Sequence, residues 1–345
     1  MERVAVCTAQ VPFMRGGAEV LVDALVSELK VRGYDPVLVQ LPFKWYPIDG
    51  IMSHALAWRM VDLTESNGKS IDRVICTKFP SYGIRHTNKV TWLVHQHRQA
   101  YDLFGWELGD LRDNEEGRKI RDAIVAYDTR TLGESRYTYA ISDNVAKRLR
   151  QYNGLESTTL YPPPQLIGRY TCGASEGYIL HVGRLDVLKR IGLLLDALAL
   201  SESKVPCIIV GEGPQRGILE SKAKELRIAD RVKFVGFVDD DSVIQYYAHA
   251  AAVYYAPLDE DYGYATVEAM LSGKPVITTH DAGGVLEFVR DQETGLVGTS
   301  DPQSVAGMLD YAASHPEELA AYGRRAYKLV QGLSWDTTIA ALMKP

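Results

Sequence analysis

The residues best suited by type and spacing to take part in chemistry are two glutamates, Glu260 and Glu268, which stand eight positions apart at the predicted start of a helix. Glu260 lies in a loop that contains Gly263, and Glu268 lies within the first turns of the helix. A helix N-terminus presents free N–H groups and the positive end of the helix dipole, so it can bind an anion. Carboxylates beside a bound phosphate would accept hydrogen bonds from sugar hydroxyls. The spacing therefore indicates a ligand that carries a phosphate and hydroxylated rings, such as a nucleotide sugar.

Two cations could serve the same ligand. Arg184 follows Gly183 at the end of a predicted strand, and Lys189 lies five positions further on. Cations at a strand end can neutralise a diphosphate leaving group while its bond to a sugar breaks. The alternative is an ordinary solvated arginine and lysine on a loop, and the two residues alone do not decide between these interpretations.

These side chains need a scaffold that brings strand ends together, and the hydrophobic pattern predicts one. The first half has strands predicted at 4–8, 37–39, 73–77, 90–94 and 139–141, and a helix at 20–29 that Gly33 ends. The second half has strands predicted at 178–182, 207–210, 232–235, 252–255 and 276–279, with helices at 191–200, 215–227, 242–250, 265–271 and 304–313. Such alternation predicts parallel sheets with helices on both faces.

The chain is long enough for two domains of about 150–170 residues each. Residues 161–164 read Tyr-Pro-Pro-Pro, which continues neither a helix nor a central strand, so they predict a stiff linker. We predict two Rossmann-like, doubly wound α/β domains at 1–164 and 165–332, and a capped helix at 333–345 that could pack back on the first domain. The binding crevice is expected at the carboxyl ends of the strands, between the domains.

The composition is that of a soluble globular protein, with 46% hydrophobic and 24% charged residues. A net charge of −6 argues against nucleic acid as the main partner. No apolar run reaches the ~20 residues that span a bilayer, and a strand that starts near Met1 leaves no room for a signal peptide. The four cysteines are widely spaced, and three lie in or beside predicted strands, which favours buried reduced thiols and a cytoplasmic location.

A series of short motifs resembles one known family, the retaining glycosyltransferases of family 4, which have the two-domain GT-B fold. Each motif alone is weak, but their order and spacing together are specific, and they cover most of the second half and several points of the first. They are Gly16-Gly17-Ala18-Glu19, the proline run at 161–164, His181-Val182-Gly183-Arg184-Leu185 with Lys189, Val210-Gly211-Glu212-Gly213-Pro214, Val235-Gly236-Phe237-Val238, the acidic segment at 259–268, and Ala282-Gly283-Gly284 with Glu287.

The resemblance assigns a role to each motif, with the acceptor on the first domain and the nucleotide-sugar donor on the second. Arg184 and Lys189 would hold the diphosphate, Glu268 the ribose hydroxyls, and Glu260 a hydroxyl of the transferred sugar. The remaining donor contacts implied by the family are Gly16 and Gly17 at the donor phosphate or reacting sugar, Gly183, the base-walling loops at Gly211 and Val238, and the helix start Tyr264, Ala265, Thr266 and Val267 at the diphosphate. Thr266 could instead be an ordinary capping residue.

The family places a histidine at a strand end of the first domain, near the donor sugar and the reacting centre, and His95 matches it. His97 and Arg98 depart from the family pattern and could meet the acceptor. A structural histidine is the alternative for His95. His95 and His97 could also bind a metal, but no third ligand stands at a suitable spacing.

Two further motifs have tempting interpretations that we do not favour. Asp259-Glu260-Asp261 reads as the D-x-D motif of the other large glycosyltransferase fold, yet Arg184 and Lys189 can already neutralise the diphosphate, so no metal or other cofactor is predicted. The glycines at 211–217 miss the dinucleotide-binding spacing by one position. The aromatic segment at 41–47 could face an acceptor or a lipid surface, or pack against its own domain.

The predicted reaction is the transfer of a sugar from a UDP- or GDP-sugar to a hydroxyl, with retention of configuration. The acceptor implied by the resemblance is a glycan or a lipid-linked molecule, in cell-envelope, exopolysaccharide or glycolipid synthesis, with a peripheral contact to the inner membrane face left open. The alternatives are a sugar-nucleotide epimerase or sugar phosphorylase of the same fold, and a non-catalytic subunit that binds nucleotide sugars. The donor base, the sugar, the acceptor and the oligomeric state stay open.

Overall fold

The computed structural model describes residues 1–106 and 109–345. The chain divides into two compact units. Unit 1 comprises Met1–Gln165 and Ser334–Pro345, and unit 2 comprises Leu166–Leu333. The last residues of the chain therefore belong to the unit in which the chain begins.

Unit 1 is built around a parallel sheet with inner strands that are almost continuously buried. The strands of unit 1 are β1 (Arg3–Gln10), β2 (Asp35–Pro42), β3 (Glu65–Ser66), β4 (Lys69–Ser70), β5 (Arg73–Lys78), β6 (Lys89–His95), β7 (Tyr137–Ala140) and β8 (Thr158–Thr159). The sheet order is β2-β1-β5-β6-β7-β8, and β3 pairs with β4 in a separate antiparallel hairpin. Every residue of β5 is buried, as expected for a strand covered on both faces.

The helices that cover this sheet are α1 (Gly17–Val31), α2 (Ile51–Met60), α3 (Glu115–Leu132) and α4 (Asp143–Asn153). Local chemistry fixes where two of them begin. The Asn114 side chain accepts from the Gly117 N–H at the start of α3, and Ser142 does the same for Val145 at the start of α4. These caps satisfy N–H groups that have no partner inside the helix.

Unit 2 repeats the architecture with a second parallel sheet. Its strands are β9 (Ile179–Val182), β10 (Cys207–Val210), β11 (Val232–Gly236), β12 (Ala252–Tyr254), β13 (Val276–Thr279) and β14 (Gly295–Gly298). Its helices are α5 (Ile191–Leu200), α6 (Arg216–Glu225), α7 (Asp240–His249), α8 (Tyr264–Leu271), α9 (Pro302–Ser314) and α10 (Pro316–Val330). The sheet order β11-β10-β9-β12-β13-β14 reverses direction between β9 and β12. In doubly wound sheets that reversal is where ligands bind.

The final helix, α11 (Trp335–Leu342), packs within unit 1. The Ser334 side chain caps it by accepting from the Thr337 N–H, which is the cap expected from the sequence. Trp335 packs edge-on against Trp92 with ring centroids 6.1 Å apart. The buried Arg73 guanidinium donates to the Leu342 carbonyl at 2.9 Å, so both apolar and polar contacts hold the chain end in place.

Three of the four cysteines, Cys7, Cys76 and Cys207, are buried with free thiols, as predicted, and Cys172 is exposed and also free. Within residues 1–106 and 109–345, none of the helices is both long and apolar enough to pass through a bilayer.

Candidate functional site

The predicted donor residues of unit 2 gather at the carboxyl edge of its sheet. Gly183 follows β9, Gly211 follows β10 and Val238 comes two residues after β11. The two glycine turns lie in contact, because a Cβ placed on Gly211, at φ +127°, would stand 2.0 Å from the Gly183 carbonyl oxygen. Only glycine fits there, so this part of the family motif has a structural cause.

Two of the predicted catalytic residues form an ion pair at this edge. The Lys189 ammonium pairs with Glu260 Oε2. The Tyr255 hydroxyl joins them, since it accepts from Lys189 Nζ at 3.0 Å and donates to Glu260 Oε2 at 3.1 Å. Burial alone would lower the pKa of Lys189, but the Glu260 carboxylate raises it above its ordinary value. Lys189 therefore stays protonated, and Glu260 is held in one place by two donors.

Arg184 is the more exposed of the two predicted phosphate-binding cations. Its side chain is 43% exposed, and its nearest carboxylate oxygen, on Asp186, lies 4.0 Å from Nε. An exposed contact at that distance restrains a guanidinium weakly. Arg184 can therefore turn toward an anion at the carboxyl edge.

Arg190 is a residue that sequence reasoning missed. Its guanidinium donates to the Ala256 and Pro257 carbonyls, each at 2.8 Å, and to both carboxylate oxygens of Asp281, at 2.7 and 2.8 Å. These hydrogen bonds hold the pKa of Asp281 below its ordinary value. Arg190 thus links Ala256 and Pro257, which precede the acidic loop, to Asp281, which lies beside it. Through this link Arg190 helps to position Glu260.

The acidic loop at 259–261 pairs its backbone with residues 281–284. The Glu260 N–H donates to the Ala282 carbonyl at 3.2 Å, and the Gly284 N–H donates to the Glu260 carbonyl at 2.7 Å. A Cβ on Gly283, at φ +63°, would stand 2.6 Å from the Glu260 carbonyl oxygen. The Ala-Gly-Gly motif is therefore explained by the close approach of the acidic loop.

The start of α8 offers the helix N-terminus that the sequence predicted. Gly263 is the N-cap residue, at φ +86°, and Tyr264, Ala265, Thr266 and Val267 form the first turn. Thr266 is not the N-cap, so its alternative role as an ordinary capping residue is wrong. Its N–H donates to the Gly263 carbonyl at 3.0 Å, and its hydroxyl oxygen is buried.

Two buried polar atoms near this turn make no hydrogen bond with the described part of the chain: Thr266 Oγ1 and His181 Nε2. The His181 ring stacks on Tyr255 at a centroid distance of 6.2 Å, and its Nδ1 lies 3.2 Å from the Tyr254 carbonyl oxygen. Burial lowers the pKa of His181 to about 4, so the ring is neutral at pH 7. Buried polar atoms usually have a partner, so these two indicate a place for a ligand or water.

Glu268 is held by a tyrosine. Its Oε2 accepts from the Tyr247 hydroxyl at 2.8 Å, and the Tyr170 ring packs edge-on against Tyr247 at a centroid distance of 6.2 Å. Burial raises the pKa of Glu268, and the Tyr247 hydroxyl opposes that rise. The structure thus departs from the alternative of a simply solvated acid, because this carboxylate is fixed in direction and has acceptor capacity left.

In unit 1, Gly16 is the N-cap of α1 and Gly17 is its first residue. The Gly16 N–H donates to Glu19 Oε2 at 2.9 Å, and Glu19 Oε1 pairs with Lys78 Nζ at 2.5 Å. Glu19, the last residue of that family motif, therefore braces the glycine turn against the end of β5.

The histidines of unit 1 differ in their surroundings. His95 ends β6, and its Nδ1 lies 2.8 Å from the Gln96 carbonyl oxygen. His97 packs against the rings of Phe43 and Phe79, and burial lowers its pKa to about 4. Arg98 donates to Asp102 at 2.8 Å. His97 is thus a neutral packing residue, while the role of His95 stays a prediction.

The aromatic segment at 41–47 also contains both buried and exposed side chains. Phe43 is buried, with its ring 5.7 Å from that of His54, so it packs against its own domain. Tyr46 is 56% exposed and contacts Trp45 edge-on. Across residues 1–106 and 109–345, no three His, Cys, Asp or Glu residues are grouped as metal ligands.

Comparison with known proteins agrees with this architecture. Residues 173–329 match the family described as glycosyl transferases group 1. An uncharacterized glycosyltransferase of Methanocaldococcus jannaschii is 32% identical over 47% of this chain and 42% of its own length. A GDP-mannose-dependent alpha-(1-6)-phosphatidylinositol dimannoside mannosyltransferase of Mycobacterium tuberculosis is 25% identical over 95% of this chain and 91% of its own.

Among solved structures, HepE of Anabaena in complex with UDP-glucose superposes with a TM-score of 0.69, at 17% identity, over 99% of this chain and 98% of its own. The chain spans between 39% and 58% of the length of the first seven curated relatives that it matches. Two Rossmann-like units with parallel sheets and the superposition on HepE show the GT-B fold, and residues 173–329 of unit 2 match the group 1 glycosyltransferases.

Proposed function

We propose that the chain is a retaining glycosyltransferase that moves a sugar from a nucleotide-diphosphate sugar to a hydroxyl acceptor. The observation that carries the proposal is the group formed by Lys189, Tyr255 and Glu260 beside the start of α8, with Glu268 fixed further along the same helix. Together with Arg184, this group combines cations for a diphosphate with carboxylates for sugar and ribose hydroxyls, at the strand edge where such sheets bind ligands.

In the proposed reaction, the bond between the sugar C1 and the donor phosphate breaks as the acceptor oxygen approaches from the same face. Lys189, Arg184 and the α8 N–H groups stabilise the charge that develops on the departing diphosphate. The leaving phosphate oxygen takes the proton of the acceptor hydroxyl. Glu260 orients the sugar through a ring hydroxyl, since its pairing with Lys189 makes it a poor nucleophile.

Glu268 would bind the ribose. Its carboxylate can accept from the 2′- and 3′-hydroxyls while Tyr247 holds it in place. The roles of Gly16, Gly17 and His95 at the donor, of Gly183, Gly211 and Val238 around the phosphates and base, and of Thr266 at the diphosphate rest on the family resemblance.

The donor is proposed to be a UDP- or GDP-sugar. HepE was solved with UDP-glucose, and the mycobacterial relative is GDP-mannose-dependent, so both bases occur among similar proteins. For the acceptor we propose a glycan or a lipid-linked molecule, met by unit 1, in cell-envelope or polysaccharide synthesis on the cytoplasmic side. No metal is needed in this scheme, because protein cations face the diphosphate.

The test is a thermal-shift panel of UDP-, GDP- and ADP-sugars, followed by mass spectrometry of the products with and without acceptors. We expect one base to stabilise the protein and its sugar to be transferred, or slowly hydrolysed, with retention seen by NMR. A C2- or C4-epimer made without acceptor would identify an epimerase, and a sugar phosphate made with added phosphate would identify a phosphorylase. Binding without turnover across the panel would leave only a nucleotide-sugar-binding subunit.

Whether the activity requires a divalent cation is tested separately. Activity should persist after dialysis against EDTA, because Lys189 and Arg184 replace a divalent cation at the diphosphate. Loss of activity with EDTA and its return with Mn²⁺ would refute metal independence while leaving the transferase assignment intact.

A further inference from the structure

Unit 2 contains a second concave surface at the edge of its sheet opposite the candidate site. This surface, called here the α10 groove, has a volume of about 900 Å³, and its walls include Tyr170, Gly173, Leu271, Lys274, Leu319 and Arg324. Ala250 and Ala251, which precede β12, and Pro275, which precedes β13, also line it. The groove therefore lies at the amino ends of the strands, whereas the donor residues lie at their carboxyl ends.

The groove exists because α10 lies close to the sheet at one point and small residues follow on either side. A Cβ on Gly323 of α10 would stand 2.0 Å from the Gly273 carbonyl oxygen, so the helix contacts the turn that precedes β13. Around that contact the walls carry Gly173, Ala312 and Ala320, which are too small to fill the space. Leu271 and Leu319 make its inner surface apolar.

The electrostatic character of the groove is one-sided. Lys274, Arg324 and Lys328 line it, and none of its described lining residues is acidic. Arg324 and Lys328 stand four positions apart on the exposed side of α10, and within the described part of the chain neither forms an ion pair. Lys274 is buried, and its ammonium donates to the Gly173 carbonyl at 2.9 Å. A neutral carbonyl compensates a buried ammonium only in part, so an anion would be favoured nearby.

We propose that the α10 groove binds an amphiphilic anion, with its apolar body against Leu271 and Leu319 and its carboxylate or phosphate group between Arg324, Lys328 and Lys274. The cavity is of the size that holds a drug-sized molecule, and such sites combine apolar walls with a few charged groups. Tyr170 lines the groove and packs against Tyr247, which donates to Glu268, so a bound molecule contacts a neighbour of the candidate donor site.

The direct test is titration calorimetry of the full chain with ligands that share a ten-carbon chain. Decanoate and decyl phosphate should bind one per chain, and comparison of the two tells which anionic group is preferred. Decyltrimethylammonium, which has the same apolar body and the opposite charge, should bind at least tenfold more weakly. Equal affinity for all three would overturn the proposal, because it would mean that the cations take no part.

Two variants place the binding in the groove. Ala320→Trp should abolish decanoate binding by filling the space, while Ala313→Trp, on the exposed face of α9 and outside the groove, should leave it unchanged. Arg324→Glu with Lys328→Glu should raise the decanoate Kd about tenfold, from the loss of two partly exposed charge contacts. Lys224→Glu, an exposed lysine on α6, is the charge control.

Circular dichroism and the thermal midpoint establish that each variant is folded, so a loss of binding is not a loss of structure. Unchanged decanoate affinity in both groove variants would overturn the site. A dimer in solution that Ala320→Trp converts to a monomer would also overturn it, because a second copy of the chain would then be the occupant. None of these measurements depends on glycosyl transfer.

Discussion

At the scale of single residues, the candidate site depends on how two cations are held. Lys189 is largely buried and paired with Glu260, whereas Arg184 is exposed with only a distant carboxylate. The pair is close to neutral as a unit, so it positions the sugar and contributes directed N–H donors, while Arg184 adds net positive charge for a departing diphosphate. Lys189 and Arg184 therefore have different roles in the candidate site, although both are cations.

Replacing both cations should remove most of the leaving-group stabilisation. For Arg184→Ala with Lys189→Ala we expect kcat to fall by at least about 10³, since a single charge-stabilising donor is typically worth ~3–4 kcal/mol. Single-turnover transfer by the double variant measures this directly. Lys222→Ala, which removes an ion pair with Asp196 between α6 and α5, is the control. Near-normal turnover in the double variant would contradict the assignment.

The tyrosine that holds Glu268 leads to a second prediction. Tyr247→Phe removes a hydroxyl that lies 2.8 Å from Glu268 Oε2 and leaves the ring in place. A hydrogen bond to a charged group is worth about 1.5–3 kcal/mol, so we expect the Kd for the nucleoside diphosphate to rise by roughly tenfold or more. Calorimetry with UDP and GDP measures it. Tyr246→Phe on the same helix is the matched control, and equal effects of the two changes would show that Glu268 does not need its tyrosine.

At the scale of elements, one side chain adds to the backbone pairing of the acidic loop by linking α5 to the segment before the loop and to the segment after β13. Arg190 stands at φ +50° at the start of α5 and donates to two carbonyls and to Asp281. A lysine at this position has one compact donor group and cannot reproduce the planar fork of a guanidinium. The loop geometry that places Glu260 therefore depends on arginine specifically.

Arg190→Lys should consequently damage both stability and turnover. We expect a loss of about 2–4 kcal/mol in the free energy of unfolding, because several charge-assisted hydrogen bonds are lost and Asp281 keeps a partly buried charge. Urea denaturation followed by far-UV circular dichroism gives the first quantity, and kcat gives the second. Arg290→Lys, which alters an exposed pair with Glu293, should change neither. Full activity in Arg190→Lys would show that the loop holds its shape without the clamp.

Some helices and strands of unit 2 could be predicted from the sequence and others could not. Strands 207–210 and 276–279 and helix 191–200 have the predicted bounds, because their apolar runs are flanked by clear breaks. The strand Gly295–Gly298 was missed, since glycine at both ends weakens the strand pattern. The helix Pro316–Val330 was also missed, although its buried residues Leu319, Tyr322, Ala326 and Val330 recur at helical spacing.

In the site, charge and spacing indicated Arg184, Lys189, Glu260 and Glu268, but no sequence pattern indicated Arg190, Tyr255 or Tyr247. Arg190 contacts Asp281 across 91 positions, and Tyr247 contacts Glu268 across 21. Such partners meet only through the order of strands in the sheet. Neutral hydroxyls that orient a carboxylate carry no local pattern, whereas the carboxylate itself stands out by type.

At the scale of the whole molecule, the two units can be observed separately. All five tryptophans, Trp45, Trp58, Trp92, Trp106 and Trp335, fall within the ranges that make up unit 1. Intrinsic tryptophan fluorescence therefore follows the unfolding of unit 1 alone. Since a chain of two units need not unfold in a single step, such a local probe is required before a free energy is assigned.

Tryptophan fluorescence can measure how a buried carboxyl group of unit 1 affects the stability of that unit as the pH changes. Asp128 accepts from the Tyr101 hydroxyl at 2.7 Å, and burial raises its pKa to about 7. In the unfolded chain an aspartate titrates near pH 4, so between about pH 4 and 7 the folded state binds the extra proton. The Asp128 contribution to stability is therefore lost as pH rises through this window, and it is constant above about 7.

His97 titrates in an overlapping window with the opposite sign, because burial lowers its pKa to about 4 and the folded state binds fewer protons there. The wild-type profile alone is thus ambiguous, and the difference between Asp128→Asn and wild type isolates the carboxylate. We expect Asp128→Asn to gain stability relative to wild type from pH 4 to pH 7, by about 2–4 kcal/mol in total, and to level off above. Urea unfolding followed by tryptophan fluorescence at each pH measures that difference. Asp122→Asn, exposed on the same helix, should give a flat difference, and a flat difference for Asp128→Asn as well would show that this carboxyl titrates alike in both states.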